Sequence, residues 1–93
     1  MNLEFFSNDR YKILQCMFDR QIEIGGQSVV PLSQQNIADV VQLSKKKVNT
    51  IIGELKINGY IRQQRPTRGK YQLTNKAIQV VSKIQKEEVL SNG

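Results

Sequence analysis

The sequence predicts a mainly α domain with one small β-hairpin: a three-helix core, then a basic hairpin, then a C-terminal helix. Three observations predict this α+β arrangement. Residues 33–50 read as two helices joined by a tight turn, and the second continues through Ile51, Ile52, Glu54 and Leu55 until Asn58-Gly59 ends it. Two strand-like runs, 60–64 and 70–74, then flank a basic turn. One short pattern recurs at 32–37, 43–48 and 73–78: a leucine, a serine or threonine, three polar or small residues, and an isoleucine or valine.

That pattern has the physics of a helix start. The hydroxyl of Ser33, Ser44 or Thr74 can accept from an unsatisfied amide of the first turn, a cap worth ~1 kcal/mol. The leucine before it can pack on the aliphatic residue at the fourth helical position. Phe6, Ser7 and Tyr11 offer a looser version. Helices are therefore expected to begin near residues 8, 34, 45 and 75. The unequal spacings exclude a repeat protein.

Taken in order, the first helix spans about 8–21, with Tyr11, Leu14, Met17 and Phe18 on one stripe and Ile13 beside it, a core pattern. Cys16 reads as a small buried or half-buried hydrophobe. Gly25-Gly26 breaks the chain. The run 29–32 then reads as a short strand beside the basic hairpin, in preference to a small hairpin of 22–24 and 28–30 around the two glycines. The second helix, about 34–41, turns Ile37, Ala38 and Val41 inward, and the small Ala38 lets it cross its neighbour closely. The turn is Gln42-Leu43, with Leu43 buried. The third helix, 45–57, has Val48, Ile51, Ile52 and Leu55 at core spacing. Its opposite face is Lys46, Asn49, Thr50 and Gly53, with Lys45, Lys47 and Lys56 on the flanks. The last helix, about 75–89, places Ala77, Val80, Val81 and Ile84 on one side.

Charge points to a partner. The chain carries 14 Lys+Arg and 8 Asp+Glu, a net charge of +6. Residues 45–76 hold nine of those bases and one acid, Glu54, so the window is +8 and the remainder is −2. Excess charge confined to one third of a chain makes an electrostatic face, and polyanions are its natural partner. The bland alternative is a solvated basic surface.

Composition excludes other classes. Ninety-three residues make one domain, 1–93, too small for a large active-site cleft. No run approaches the ~20 apolar residues of a membrane span. The first eight residues lack the basic start and apolar stretch of a secretory signal. One cysteine cannot form an internal disulfide, which fits a reducing cytoplasm. There is no histidine, no cysteine spacing for a metal and no glycine-rich phosphate loop, so neither catalysis nor a metal or other cofactor is expected. Asp9, Asp19 and Glu23 could share a helix face, but more simply solvate it and offset the first-turn dipole.

A helix-turn-helix at about 33–58 followed by a hairpin at about 60–74 is the order of a winged helix-turn-helix. There the start of the second helix lies nearest the base edges in the major groove. Lysine and asparagine can reach base donors and acceptors, and threonine can bond a base or touch a thymine methyl. Gly53 costs ~1 kcal/mol in a helix interior, so it reads either as a point of close approach or as a tolerated defect. In the wing, Pro66 and Gly69 fit a turn. Arg65, Thr67, Arg68 and Lys70 surround its tip, placed to hold phosphates or enter a narrow minor groove. Gln34 and Gln35 are expected phosphate contacts through side chains and free helix-start amides, and Ser44 is counted with the DNA-binding residues. Ile61, Tyr71 and Leu73 should face the core, with stacking of Tyr71 on a base the lesser alternative.

The stretch from Ile37 to Ile61 resembles the core of winged helix-turn-helix bacterial regulators of the MarR-like kind, and residues 71–77 resemble the end of their wing and the next helix. The likeness covers about 32–80. It implies that the helix at 45–57 (Lys45, Lys46, Lys47, Asn49, Thr50) enters the major groove, and that the hairpin touches backbone or minor groove. Gln42 stands where that turn usually has glycine, so either the turn is looser or the glutamine is left-handed. The chain also lacks the long dimerisation helices of those proteins. The expected function is sequence-specific binding of double-stranded DNA, as a bacterial, plasmid or phage transcriptional regulator (a repressor) or a replication or maintenance protein. The competing class is a winged-helix module that binds protein within a larger assembly. A homodimer is expected through the N-terminal segment (Leu3, Phe5, Phe6) and a second side of the last helix (Ile78, Val89), the alternative being that Phe5 and Phe6 cover their own core.

Overall fold

The computed structural model describes residues 9–63 and 71–92, with side chains up to residue 86. The elements are α1 (Asp9–Asp19), β1 (Ile22–Ile24), β2 (Gln27–Val29), α2 (Gln34–Val41), α3 (Lys45–Ile57), β3 (Ile61–Gln63), β4 (Tyr71–Leu73) and α4 (Asn75–Asn92). The architecture is α+β, a winged helix-turn-helix. The expectations for Leu3, Phe5, Phe6 and the wing tip, and for the side chain of Val89, lie outside the described residues.

Each helix start of the recurring pattern is capped as its chemistry requires. Ser33 Oγ accepts from the Asn36 amide at 3.1 Å, while Asn36 Oδ1 accepts from the Ser33 amide, also at 3.1 Å, closing a reciprocal capping box. Ser44 Oγ accepts from the Lys47 amide at 3.1 Å. Thr74 Oγ1 accepts from the Ala77 amide at 3.3 Å and donates to the Gly59 carbonyl at 2.8 Å. The third cap thus also pins the end of α3 to the start of α4.

Two positive-φ residues end the core helices. Gln42 adopts φ 60°, the left-handed of the two expected arrangements, and the Leu43 amide reaches the Ala38 carbonyl at 3.2 Å. Gly59 adopts φ 79°, and the Tyr60 amide reaches the Leu55 carbonyl at 2.9 Å. The second closure gives the Leu55 carbonyl a partner at the helix end, while the first adds a second donor to the Ala38 carbonyl, which also accepts from the Gln42 amide. Leu43 is half-buried rather than buried.

The core joins all four helices. Ile13, Leu14 and Met17 of α1 pack with Ile37, Ala38 and Val41 of α2, Val48, Ile51, Ile52 and Leu55 of α3, and Ala77, Val80 and Val81 of α4. In α1 the buried set centres on Ile13, Leu14, Cys16 and Met17, with Tyr11 and Phe18 only half-covered at its margin. That is a shift from the stripe expected through Tyr11 and Phe18.

The reading of residues 22–32 is corrected. Ile22–Ile24 and Gln27–Val29 form an antiparallel hairpin, with Ile22 opposite Val29, and Gly25 and Gly26 at its tip both have positive φ. The adjacent residue Val30 makes the pairing expected beside the wing: its amide donates to the Tyr71 carbonyl at 2.7 Å, and the Tyr71 amide returns a bond at 3.1 Å. Two glycines free to adopt left-handed φ let the chain reverse at once, and the apolar Val29-Val30 pair serves both partners. Glu23 therefore lies in β1, away from any helix face it would share with Asp9 and Asp19.

In the wing, Ile61 pairs with Leu73 and Gln63 with Tyr71. Ile61 and Tyr71 are buried and Leu73 half-buried, as expected. Tyr71 is 2% exposed, so base stacking by its ring is excluded. α4 runs to Asn92, longer than expected, and Ile84 is half-buried where Ala77, Val80 and Val81 are fully buried.

Candidate nucleic-acid interface

α3 has three sides. Val48, Ile51, Ile52 and Leu55 face the core. Lys47 and Glu54, two turns apart, form one flank. The outward side carries Lys46, Asn49, Thr50 and Gly53, with Lys45 and Lys56 on the opposite flank, and all but the half-buried Gly53 are exposed. One outward residue had not been singled out by sequence: Ile57, 87% exposed. Its spacing from Gly53 and Thr50 was the available signal.

The first turn of α3 is electrostatically unusual. It holds three lysines and no acidic residue, at the helix end where the backbone dipole is already positive. Lys45, Lys46 and Asn49 make no side-chain hydrogen bond or ion pair among the described residues. Lys47 does have a counter-ion, Asp9 Oδ2 at 2.6 Å. The Ser44 cap occupies the Lys47 amide, which leaves the Lys45 and Lys46 amides free of intrahelical partners.

Other expected residues are partly engaged. The Thr50 hydroxyl donates to the Lys46 carbonyl at 3.1 Å, and the residue stays exposed. A side chain at Gly53 would meet nothing within 4 Å, so no contact inside the chain demands glycine there. At the start of α2, Gln34 is half-buried, and the exposed Gln35 donates to Asp39 Oδ1 at 2.9 Å. Arg65, Thr67, Arg68 and Lys70 lie outside the described residues.

Two lysines of the basic window serve the fold as well. Lys56 Nζ donates to Gln63 Oε1 and lies 5.8 Å from the Tyr71 ring centre. Lys76 Nζ donates to the Asn58 carbonyl at 3.0 Å and stands 4.5 Å from the Tyr60 ring centre. Such cation–ring contacts contribute roughly 0.5–1 kcal/mol at exposed sites. Arg62 is exposed on β3.

α1 braces α3 from the side. Arg10 Nη2 donates to Glu54 Oε2 at 2.6 Å, and this bond is the main reason the guanidinium holds its proton even more firmly than usual. With Asp9–Lys47, it makes two oppositely directed ion pairs between the same helices. Neither Asp9 nor Arg10 was expected at the site, because pairs 38 and 44 positions apart leave no periodic trace.

Among the described residues no group of His, Cys, Asp and Glu could hold a metal ion, and no helix is long and apolar enough to cross a membrane. No family model matches the sequence, and no curated protein matches it. Solved structures do. The reduced (FeII) CO-sensing protein from R. rubrum is 24% identical with a TM-score of 0.71; the match covers 86% of this chain but only 37% of that one. TubR bound to 24 bp of tubC, from Bacillus thuringiensis serovar israelensis pBtoxis, is 25% identical with a TM-score of 0.69, covering 94% of this chain and 96% of that one. In the S. aureus MepR–DNA complex the match is 23% identical with a TM-score of 0.64, covering 97% and 78%. These likenesses establish the winged-helix fold.

Proposed function

We propose that this chain binds double-stranded DNA in a sequence-specific manner and acts as a transcriptional regulator in the cytoplasm, as a single domain over 1–93. α3 enters the major groove, with Lys46 and Asn49 toward base edges, Thr50 and Gly53 against the groove floor, and Lys45 on phosphate. Gln34, Gln35 and Ser44 meet the backbone through side chains and helix-start amides. Arg65, Thr67, Arg68 and Lys70 of the wing hold backbone or minor groove. No catalytic group or cofactor is assigned.

One observation carries the reading. Three lysines crowd the positive end of α3, against the dipole, and only Lys47 has a counter-ion among the described residues. A local rule broken on an exposed face marks a functional site, and a polyanion removes the conflict. The solved structures of TubR on tubC and of MepR with DNA support the same reading. A protein-docking face should instead present more exposed apolar area.

TubR, described as a type III plasmid segregation protein, favours a second reading within the same chemistry. It matches this chain over nearly the full length of both. DNA binding in the service of plasmid maintenance would use the same face. Selection from a random duplex pool tests the function: enrichment of a defined motif supports it, and uniform recovery of all sequences contradicts it.

A further inference from the structure

α1 reaches α3 by two ion pairs set two turns apart. Asp9 holds Lys47 in the first turn of α3 at 2.6 Å, and Arg10 holds Glu54 at 2.6 Å. Seven residues of helix separate the two attachment points by about 10 Å and return to the same side. The two contacts leave neighbouring residues of α1 and reach points two turns apart on α3, so they brace α3 against tilting and sliding at the start of α1. α1 is itself anchored. Ile13, Leu14 and Met17 are fully buried, and Gln85 of α4 donates to Gln15 Oε1 at 3.1 Å.

Both α3 partners lie on the flank, not on the outward face that carries Lys46 and Asn49. The Arg10 and Glu54 side chains are 34% and 33% exposed, and Asp9 is 30% exposed against 54% for Lys47. Glu54 is thus as shielded as its partner Arg10, whereas Lys47 is more exposed than Asp9.

We infer that the first turn of α1 is a positioning element for DNA readout: Asp9 and Arg10, through Lys47 and Glu54, set the angle at which α3 offers Lys46 and Asn49. The inference rests on the DNA-binding reading above. It makes Asp9 and Arg10 positioning residues that govern discrimination between sequences without touching DNA. It also reassigns Lys47, which acts through Asp9 rather than by neutralising a phosphate.

The test compares affinity for a selected duplex with affinity for a scrambled one, at several salt concentrations. Arg10→Glu should lower the ratio about two- to fivefold, the range that a partly exposed ion pair supports. The exchanged pair Arg10→Glu with Glu54→Arg, which keeps the net charge, should restore it. Asp9→Asn and Lys47→Ala should each lower the ratio and leave the salt slope unchanged, and the two together should add nothing further. The opposite result is equally distinct. If Lys47→Ala reduces the slope by about one unit, and Asp9→Asn tightens every duplex alike, Lys47 is a phosphate contact and the inference is overturned. An unchanged ratio in Arg10→Glu overturns it too. Far-UV circular dichroism checks folding; should Arg10→Glu unfold, Arg10→Gln and the exchanged pair carry the comparison. Wild type that retains no duplex at all overturns the DNA reading together with this inference.

Discussion

The Leu43 amide donates to the Ala38 carbonyl at 3.2 Å across a Gln42 held left-handed at φ 60°. This bond closes α2 and delivers the chain to Ser44, which caps α3. A left-handed residue with a side chain is strained, by about 1–2 kcal/mol in the steric estimate, while glycine adopts the conformation freely but loses more entropy on folding. Gln42→Gly should therefore stabilise the fold by a net ~0.5–1 kcal/mol, raising the thermal midpoint by several degrees. Calorimetry checks this; a lower midpoint would mean that the glutamine side chain contributes more than its backbone costs.

How legible the fold was follows from which signals are local. Helix starts were readable because Ser33, Ser44 and Thr74 each sit between a leucine and a first turn that needs an acceptor. The missing glycine at Gln42 left a looser turn and a left-handed glutamine both open, and the packed turn takes the second. The β1–β2 hairpin was misread because Val29 and Val30 look like one strand, while they divide between two partners. Of the candidate site, the outward face of α3 followed from helical spacing alone. The Asp9–Lys47 and Arg10–Glu54 pairs did not, since only the packed fold brings those charges together.

Burial pushes the Cys16 thiol above its ordinary range, a shift that Arg20 opposes and Asp19 reinforces. A raised folded-state value means that the native protein keeps the proton longer than the unfolded chain. Its contribution to stability is intact below the ordinary thiol range and is lost as pH rises through the raised value. Denaturant titrations of wild type and Cys16→Ala should show the wild-type advantage shrinking as pH climbs beyond about 9. A constant difference across that window would mean the thiol titrates as it does in the unfolded chain.

The expected homodimer would pair a second side of α4 with the N-terminal segment. One small domain reads only a few base pairs, and two would read half-sites about one helical turn apart. Sedimentation equilibrium at micromolar concentration should return twice the 10.7 kDa chain mass. A monomer mass, with one-to-one DNA binding, would rule the dimer out.

The roles proposed for α3 and the wing are separable by mutation. Lys46→Ala or Asn49→Ala should relax base preference, at about 1–3 kcal/mol for a base-edge contact. Arg68→Ala should weaken all sequences about equally. Identical behaviour of the three variants on a panel of duplexes would show the assigned roles to be wrong.

Salt tests most directly the proposed binding of DNA phosphates by the basic residues of the 45–76 window. If one protomer neutralises about five to seven phosphates, log K against log salt should fall with a slope near −5 to −6 per protomer. Titration of a labelled duplex at several salt concentrations measures this slope. A steep linear fall is the predicted result, and a flat response would contradict DNA binding by this chain.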